Sequence, residues 1–166
     1  MFKIGIGYDI HKKLSTRPLY LGGILISEKN GLLGHSDADI LIHTICDSIL
    51  GALAEGDIGD HFSDSDPKNK NKRSTYFLKK ILKIMQKKSY KIVNIDSTII
   101  CEKPKLSRFK NKMRMNISRI INLPIDKISV KATTSEGLGI IGKDMAMACK
   151  TIVLLKKNES VKIFKR

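Results

Sequence analysis

Histidine and acidic residues are concentrated between residues 31 and 66, in GLLGHSDADILIHTICDSILGALAEGDIGDHFSDSD. This segment holds three of the four histidines, His35, His43 and His61. Imidazoles and carboxylates grouped in this way can bind a divalent metal or transfer protons. A single helical histidine is more often structural than ligating, so a metal site requires that the fold brings further ligands to it.

The N-terminal segment offers two such ligands. Apolar residues alternate with small or polar ones in FKIGIGYDIH, which is the period of a half-buried strand. Asp9 and His11 therefore share one face of this strand. If the strand ends beside the helix that carries His43, one carboxylate and two imidazoles converge. Three protein ligands leave a tetrahedral zinc ion one open position, as in a catalytic site.

The helix itself is predicted from its capping signal and its apolar period. Ser36 and Asp39 have the spacing of a capping box, so we expect the helix to run from about Asp37 to Gly56. Its buried stripe is predicted to be Leu41, Ile42, Ile45, Ile49, Leu50 and Leu53. His43 lies beside this stripe, and Asp39 or Asp47, each one turn away, could orient its ring.

The remaining elements must position these residues. They are a hairpin over 19–26, a helix from residue 74, a strand over 90–101, a helix around 109–121, and strands over 128–133 and 145–155. This order predicts an α+β sandwich, with helices packed on one face of a mixed sheet. The polar segment over 60–73 is equally consistent with a mobile lid and with a plain connector.

A second chemical feature is KATTSEGLG, at residues 131–139. Two threonine hydroxyls and Glu136 follow a strand into a glycine-containing turn, where backbone amides and hydroxyls can hold phosphate oxygens. Glu136 offers the hard oxygen ligand that Mg²⁺ or Mn²⁺ accepts. Threonines are also common in strands, so a purely structural role remains open.

Composition bounds the class of protein. With 166 residues and 42% hydrophobic residues, the chain suits one domain. The net charge of +15 suggests that the protein binds nucleic acid. However, the lysines are spread along the chain and aromatic residues make up only 5% of it, so we expect no nucleic-acid partner.

The cysteines and the lack of a targeting segment bear on where the protein acts. The three cysteines are far apart in the sequence, which predicts buried thiols. Without a signal peptide or an apolar segment of about 20 residues, we expect no membrane partner and a cytoplasmic protein, or a stromal one if a transit peptide was removed.

Five motifs follow one another along the chain: GYDIH, GHSDADILIH, GDIGDHFSDSDP, CEKPKL and KATTSEGLG. In this order they resemble the 2-C-methyl-D-erythritol 2,4-cyclodiphosphate synthases of the non-mevalonate isoprenoid pathway. The resemblance implies a phosphorus–oxygen lyase. It would cyclise 4-diphosphocytidyl-2-C-methyl-D-erythritol 2-phosphate to the 2,4-cyclodiphosphate and release CMP. It also implies a ferredoxin-like sandwich, assembled as a homotrimer with active sites between subunits.

The resemblance assigns roles to individual residues. It makes Asp9, His11 and His43 the zinc ligands, in agreement with their spacing. It implies that Glu136 is a ligand of a second metal ion, Mg²⁺ or Mn²⁺, and that His35 and Thr134 are catalytic. The implied residues around the metal and the diphosphate are Asp9, Ile10, His11, His35, Ser36, Thr133, Thr134, Ser135 and Glu136.

Further substrate-binding residues are implied in four segments. Asp57, Ile58 and Gly59 match the segment that binds erythritol and ribose hydroxyls. Phe62, Ser63, Asp64, Ser65 and Asp66 match a flexible acidic loop, although a proline usual after the phenylalanine is missing. Cys101, Glu102, Lys103, Pro104, Lys105, Leu106 and Ser107 match the stretch that receives cytosine. Ile140 and Lys143 stand where many members have Phe and Arg lining a cavity on the trimer axis.

The resemblance also sets the domain boundary, and two other functions compete with it. Residues 1–157 correspond to the family's single domain, and residues 158–166 form a basic C-terminal tail. A metal-dependent phosphohydrolase would use the same ligands but release orthophosphate. A basic nucleic-acid-binding module would explain the charge but would leave Asp9, His11, His35, His43 and Glu136 without a role.

Overall fold

The fold is built on a mixed β-sheet. The computed structural model describes residues 1–63, 66–69 and 72–158. Its strands are β1 (Phe2–Leu14), β2 (Leu19–Leu21), β3 (Ile24–Ser27), β4 (Gly31–Leu32), β5 (Tyr90–Ile100), β6 (Ile128–Thr133) and β7 (Ala146–Lys157). Its helices are α1 (Ile40–Leu53), α2 (Ile58–His61), α3 (Ser74–Lys87), α4 (Lys110–Ile121) and α5 (Gly139–Gly142). Short 3₁₀ turns lie at Pro67–Asn69, Ser107–Phe109 and Ile125–Lys127.

Five of these strands form the main sheet, in the order β4-β1-β7-β5-β6. Strand β7 pairs antiparallel with both β1 and β5, whereas β5 and β6 are parallel, so the sheet is mixed as predicted. The long β1 pairs with β7 over most of its length, with Asp9 opposite Cys149 and His11 opposite Met147. The sheet therefore fixes the backbone that carries the two predicted ligands.

Strands β2 and β3 form the separate hairpin that the sequence predicted. Gly22 and Gly23 make its two-residue turn, with φ of 62° and 77°. Both central residues of such a turn need positive φ, which glycine adopts without a steric penalty. The turn also lets both amides reach the Asp39 carboxylate, at 2.9 Å and 2.6 Å.

Helix α1 lies unusually close to β1 because two residues of that strand have no side chain. A Cβ on Gly5 would lie 1.8 Å from the Ser48 carbonyl oxygen, and one on Gly7 would lie 2.1 Å from the Thr44 carbonyl oxygen. These contacts leave room only for glycine. The close approach brings the helix that carries His43 against the strand that carries Asp9 and His11.

The core lies between the sheet and the helices. The predicted stripe of α1 is fully confirmed, since all six of its residues are buried. On α3 the buried apolar residues are Phe77, Leu78, Ile81, Leu82 and Met85.

The three cysteines are free and buried, as predicted. Within residues 1–63, 66–69 and 72–158, no helix combines the length and the apolar character needed to cross a membrane.

The opposite face of the sheet is apolar and exposed along β1. Because side chains alternate across a strand, the residues between Gly5, Gly7 and Asp9 point away from α1. Ile4 is 73% exposed. The other exposed apolar residues of this face include Phe2, Ile6, Tyr8, Ile10 and Ile152. Exposed apolar patches of this kind are typical of surfaces that bind other proteins, membranes or ligands.

The start of α1 differs from the prediction. The helix begins at Ile40 instead of Asp37, and Asp39 is itself the N-cap, accepting from the Ile42 amide at 3.0 Å. Ala38 has a φ of 53°, which excludes it from a right-handed helix. The helix ends at Leu53, before Ala54 in the left-handed conformation. The predicted capping box of Ser36 and Asp39 is therefore wrong, although Ser36 Oγ accepts from the Ala38 amide at 3.1 Å.

Three short elements were not predicted: β4, α2 and α5. The segment over 60–73, predicted as a loop, contains the end of α2 and the turn at Pro67–Asn69. Residues 64, 65, 70 and 71 lie outside the described residues, so the mobility of this segment stays a prediction. Residues 159–166 of the predicted tail also lie outside them.

Candidate functional site

The three predicted metal ligands converge. Asp9 Oδ2 lies 2.9 Å from His11 Nε2 and 3.1 Å from His43 Nδ1. One ligand atom from each residue falls within 4.8 Å of the other two. Among the described residues, this is the only such group of three histidine, cysteine or acidic side chains. The structure therefore brings together one carboxylate oxygen and two imidazole nitrogens, as the sequence predicted.

A contact between His11 and a backbone carbonyl determines which of its ring nitrogens is protonated. His11 Nδ1 lies 2.6 Å from the Leu33 carbonyl oxygen, which can only accept a hydrogen bond. Nδ1 must therefore carry a proton. In the neutral ring, the lone pair is then on Nε2, the atom that faces Asp9.

A second backing contact orients His43. Its Nε2 lies 2.9 Å from Ser74 Oγ, and the Ser74 hydroxyl donates a hydrogen bond to Asp37 Oδ1. Because that hydroxyl hydrogen is used on Asp37, Ser74 Oγ accepts from His43 Nε2–H. The lone pair of the neutral ring is then on Nδ1, facing Asp9. Arg73 Nε, 2.8 Å from Asp37 Oδ2, completes the chain of contacts.

The residues predicted to orient His43 have other roles. Asp39 is fully buried and its carboxylate accepts from the amides of Gly22, Gly23 and Ile42. Asp47 accepts from the Ile58 amide at 2.9 Å and so ties α1 to α2. Within the described part of the chain, the His43 ring bonds to Asp9, Ser36 and Ser74 instead. The prediction was wrong because one-turn spacing on a helix does not show where a longer-range partner lies.

Asp9 is ionised in this setting. Burial raises its pKa, but hydrogen bonds donated by His11 and His43 when their inward nitrogens are protonated, and the charges of those rings, lower it more, so the pKa lies well below its usual range. For His11, burial lowers the pKa, but the hydrogen bond and the charge of Asp9 raise it more, and the net shift is upward. Asp9, His11 and His43 are held by one another and by outer partners, as in preorganised metal sites, and could therefore hold a cation.

A cavity of about 240 Å³ opens in front of the three ligands. It is lined by Asp9, His11, Gly34, His35, Ser36, His43, Asp47, Ile58, Gly59, Phe62, Asn69 and Phe77. The predicted residues His35, Ser36, Ile58, Gly59 and Phe62 therefore lie beside the ligands. The sequence analysis missed Asn69 and Phe77 as lining residues and Ser74 as a partner of His43. Phe77 is buried on α3, and its helical spacing is that of a core residue, so the sequence gives no signal that it lines a site.

A second pocket of about 280 Å³ is lined by a further group of the predicted substrate-binding residues. It is lined by Cys101, Glu102, Pro104, Lys105, Leu106, Ser107, Lys110, Ala132, Thr133 and Thr134. The Ser135 amide donates to Glu102 Oε1 at 2.8 Å, and Thr134 Oγ1 donates to Glu136. This pocket and the one at Asp9 have no lining residue in common. The structure thus places the predicted site residues in two separate groups within one chain.

Some predicted residues lie outside both pockets. Glu136 is exposed and is not part of the group formed by Asp9, His11 and His43. Ile10 is 39% exposed on the opposite face of β1. Asp57 caps α2 by accepting from the Asp60 amide at 3.1 Å. Other predicted residues that line neither pocket are Ser63, Asp66, Lys103, Ser135, Ile140 and Lys143. Asp64 and Ser65 are not among the described residues.

The chain is similar to proteins of known name over nearly its whole length. The profile of the YgbB family matches residues 2–156. A protein from Clostridioides difficile (strain 630) named 2-C-methyl-D-erythritol 2,4-cyclodiphosphate synthase is 52% identical over 153 residues, covering 92% of this chain and 95% of that protein. A similar protein of the same name from Clostridium tetani (strain Massachusetts / E88) is 51% identical over 156 residues, covering 94% of this chain and 99% of that protein.

Solved structures agree with these relatives. The IspF–CDP complex of Plasmodium falciparum is 41% identical, with a TM-score of 0.84, covering 95% of this chain and 97% of that one. The bifunctional IspDF of Campylobacter jejuni is 40% identical, with a TM-score of 0.93, covering 96% of this chain. This chain spans 43% of that longer protein.

Proposed function

This chain belongs to the YgbB family, and on that premise we propose that it is a cyclodiphosphate synthase of non-mevalonate isoprenoid biosynthesis. Its substrate is 4-diphosphocytidyl-2-C-methyl-D-erythritol 2-phosphate, and its products are 2-C-methyl-D-erythritol 2,4-cyclodiphosphate and CMP. In this reaction the substrate's 2-phosphate attacks the β-phosphorus of its own diphosphate, and the bond from that phosphorus to the CMP oxygen breaks. The enzyme is thus a phosphorus–oxygen lyase acting on a cytidine nucleotide.

The observation that carries the proposal is the group formed by Asp9, His11 and His43. Its chemistry fits zinc, which accepts carboxylate oxygen and imidazole nitrogen and keeps one position open in catalytic sites. The contacts to the Leu33 carbonyl and to Ser74 support this fit, because they leave a lone pair on each inward nitrogen. A zinc ion bound there would supply Lewis-acid polarisation of a phosphate oxygen.

The side chains of the cavity then align and neutralise the reacting phosphates. Both reacting groups are anionic phosphates of one molecule, so charge repulsion and alignment form much of the barrier. His35 and Ser36 line the cavity beside the metal ligands and are suited to donate to phosphate oxygens. The attacking phosphate is already ionised near neutral pH, so the reaction needs no general base.

The nucleotide end of the substrate is assigned to the second pocket. The segment Cys101–Ser107 would receive cytosine, and Thr133–Glu136 would face the diphosphate. Thr134 would donate to the transferring phosphoryl group. Glu136 would help to hold a second divalent metal, Mg²⁺ or Mn²⁺, whose other ligands are substrate phosphates and water. The Plasmodium falciparum relative was solved as a CDP complex, which supports a cytidine diphosphate ligand.

We further propose a homotrimer of ferredoxin-like subunits with active sites between them. Two observations support this assembly. The two pockets have no lining residue in common, which agrees with an active site completed by a neighbouring copy. The exposed apolar face of β1 gives such copies a surface to bury. The erythritol and ribose hydroxyls would then be held near residues 57–59, with Phe62 lining the same cavity, and Ile140 and Lys143 would lie on the trimer axis.

The remaining proposals concern the domain boundary, Ile10 and localisation. We propose one domain over residues 1–157, which is supported by the family match to residues 2–156, with the basic sequence over 158–166 outside it. Ile10 contributes to substrate binding through its backbone, because its side chain lies on the opposite face from Asp9 and His11. The protein acts in the cytoplasm, or in an organelle stroma after removal of a transit peptide.

A product assay tests this function. The full-length protein is incubated with 4-diphosphocytidyl-2-C-methyl-D-erythritol 2-phosphate, zinc and magnesium, and the products are identified by mass spectrometry and phosphorus NMR. The proposal predicts CMP and the cyclic diphosphate in equal amounts. Orthophosphate as the product would identify a metal-dependent phosphohydrolase and overturn the proposal. The names of the relatives favour the synthase over that hydrolase and over a nucleic-acid-binding module.

A further inference from the structure

Lys13, at the end of β1, is a buried lysine with two partners from distant parts of the chain. Its side chain is only 10% exposed. Its Nζ donates to the Lys103 carbonyl oxygen at 2.7 Å and to Asp144 Oδ1 at 2.5 Å. Its own amide donates to the Met145 carbonyl oxygen at 2.9 Å, which fixes the backbone beside Asp144. One ammonium group therefore joins β1, the segment after β5 and the residues before β7.

The Lys103 carbonyl belongs to the segment Cys101–Ser107, whose other contacts come from a different direction. The Cys101 amide donates to the Thr133 carbonyl oxygen at 3.0 Å, and Glu102 Oε1 accepts from the Ser135 amide at 2.8 Å. Both contacts tie the segment to the end of β6. Lys13 ties it from the side of β1, so the backbone of the segment is held between two parts of the sheet.

The Lys13 side chain is more buried than the lysine of an ordinary surface ion pair, whereas its partner Asp144 is 36% exposed. Removing an ammonium group from water is costly unless acceptors replace its hydration shell. Lys13 has a carboxylate and a carbonyl in that role. By contrast, Lys127 and Asp126 lie 3.4 Å apart and are 51% and 67% exposed. Exposed pairs of that kind contribute little. A mostly buried ammonium group that also donates to a backbone carbonyl restricts the position of that backbone.

We propose that the Lys13–Asp144 pair positions the segment Cys101–Ser107 for binding a cytidine nucleotide. This inference rests on the proposed function, which assigns that segment to the base. Recognition through backbone groups depends on where the backbone lies, and holding it in place before binding removes part of the ordering cost. Lys13 and Asp144 line neither pocket, so they are positioning residues and do not contact the nucleotide.

The test measures CDP binding to the full-length, zinc-loaded protein by isothermal titration calorimetry. The variants are Lys13→Met, Asp144→Asn and the double variant, with Lys127→Met as the matched control that removes an exposed lysine from an aspartate pair. We expect Lys13→Met to raise the dissociation constant for CDP by about tenfold, the effect of losing one charge-assisted hydrogen bond. Asp144→Asn should weaken binding in the same direction. The double variant should resemble Lys13→Met, because both changes break one unit.

Two further measurements separate positioning from a general structural role. Zinc affinity, which depends on Asp9 and His11 on the same strand, should not change in any variant. Hydrogen exchange of residues 101–107 in the ligand-free protein should be faster in Lys13→Met than in Lys127→Met. If Lys13→Met does not fold, Asp144→Asn decides the question, since it keeps the lysine and the shape of its partner.

The outcomes distinguish this proposal from the function on which it rests. Unchanged CDP affinity in both Lys13→Met and Asp144→Asn, with a wild-type protein that binds CDP, would overturn the positioning role alone. A wild-type protein that binds no CDP would contradict the proposed function. Hydrogen exchange would then still decide whether the pair holds the segment, and equal exchange in Lys13→Met and Lys127→Met would overturn that claim too.

Discussion

At the scale of single residues, the site depends on which ring nitrogen each histidine presents. His11 is held by the Leu33 carbonyl, and His43 by Ser74, which is held in turn by Asp37. Both contacts place protons on the outward nitrogens, so the inward ones are free to ligate. Contacts of this kind commonly change metal affinity by about 10- to 100-fold when they are removed.

Ser74→Ala should therefore weaken zinc binding without unfolding the protein. The variant leaves His43 Nε2–H without its acceptor at 2.9 Å and removes the hydroxyl that bonds to Asp37. We expect the zinc dissociation constant to rise by about tenfold or more, measured by competition with a fluorescent chelator. Ser118→Ala, which also removes a hydroxyl bonded to the chain, at 2.6 Å from the Leu123 carbonyl, is the control and should keep wild-type affinity. Equal affinities in the two variants would refute this role of Ser74.

Zinc binding should also depend on pH in a defined direction. A ligating imidazole must be deprotonated, and the pKa of His11 is raised despite its burial, because Asp9 bonds to it and attracts its charge. The pKa of His11 in the metal-free protein therefore lies above 6.5, its ordinary value. Apparent zinc affinity should be full at higher pH and fall as the pH drops through this raised pKa. Protonation of Asp9 does not contribute to this pH dependence near neutral pH, since its pKa is well below the usual range.

The measurement is calorimetry between about pH 6 and 8, in buffers of different ionisation enthalpy that count released protons. Proton release at the lower pH values agrees with this expectation. If the affinity does not vary across this pH range and no proton is released, zinc binding does not displace a proton from His11, and this expectation is wrong.

At the scale of elements, the site exists because α1 and β1 approach so closely. Gly5 and Gly7 lie under the Ser48 and Thr44 carbonyls, which leaves no room for a Cβ. The spacing of a helix on a sheet normally reflects the side chains between them. Here their absence brings His43 within 3.1 Å of Asp9.

Gly7→Ala should accordingly damage both stability and the site. The added Cβ would lie 2.1 Å from the Thr44 carbonyl oxygen, so α1 must shift away from β1. We expect a loss of about 3 kcal/mol or more in the free energy of unfolding, measured by urea denaturation, together with weaker zinc binding. Gly51→Ala is the matched control, since its Cβ would meet only the Ile6 carbonyl oxygen at 3.8 Å. It should stabilise the helix by up to about 1 kcal/mol. Destabilisation by Gly51→Ala equal to that by Gly7→Ala would contradict the packing argument.

The elements also show what the sequence could predict. Strand β6 and the start of α3 lie where their residue patterns placed them, because long periodic segments carry their own signal. The start of α1 was misplaced by three residues, since Asp39 is held by amides of the distant hairpin. The four-residue helices α2 and α5 are too short to carry a period. The contact between Ser74 and His43 is seen only in the structure, because nothing in the sequence links the two residues.

At the scale of the whole molecule, one chain carries two pockets and exposed apolar residues along β1. The sequence motifs named many of the residues that line the two pockets, but only the fold shows that the pockets have no lining residue in common. The family resemblance predicts the assembly that would join them. The net charge of the full sequence is +15, and the Lys150 and Lys156 ammonium groups lie over the rings of Tyr8 and Phe2, two of the exposed residues of β1.

Ile4→Lys should dissociate the proposed trimer. Ile4 is 73% exposed in the single chain, and burying a lysine at its position between subunits would cost more than the association can offset. We expect the native mass, measured by light scattering, to fall from three chains to one, while circular dichroism stays unchanged. Met115→Lys, on α4 and away from this face, is the control and should keep the trimer. A trimeric Ile4→Lys variant would exclude this face from the interface.

The most direct test of the metal centre is the zinc content of the purified protein, measured by inductively coupled plasma mass spectrometry for the wild type and His43→Ala. Removing one of three ligands should abolish zinc binding and cyclisation while the fold, followed by circular dichroism, is kept. We predict one zinc ion per wild-type chain and none in His43→Ala. A folded His43→Ala protein that still holds one zinc ion per chain, or a wild type that turns over substrate in metal-depleted buffer, would contradict the account.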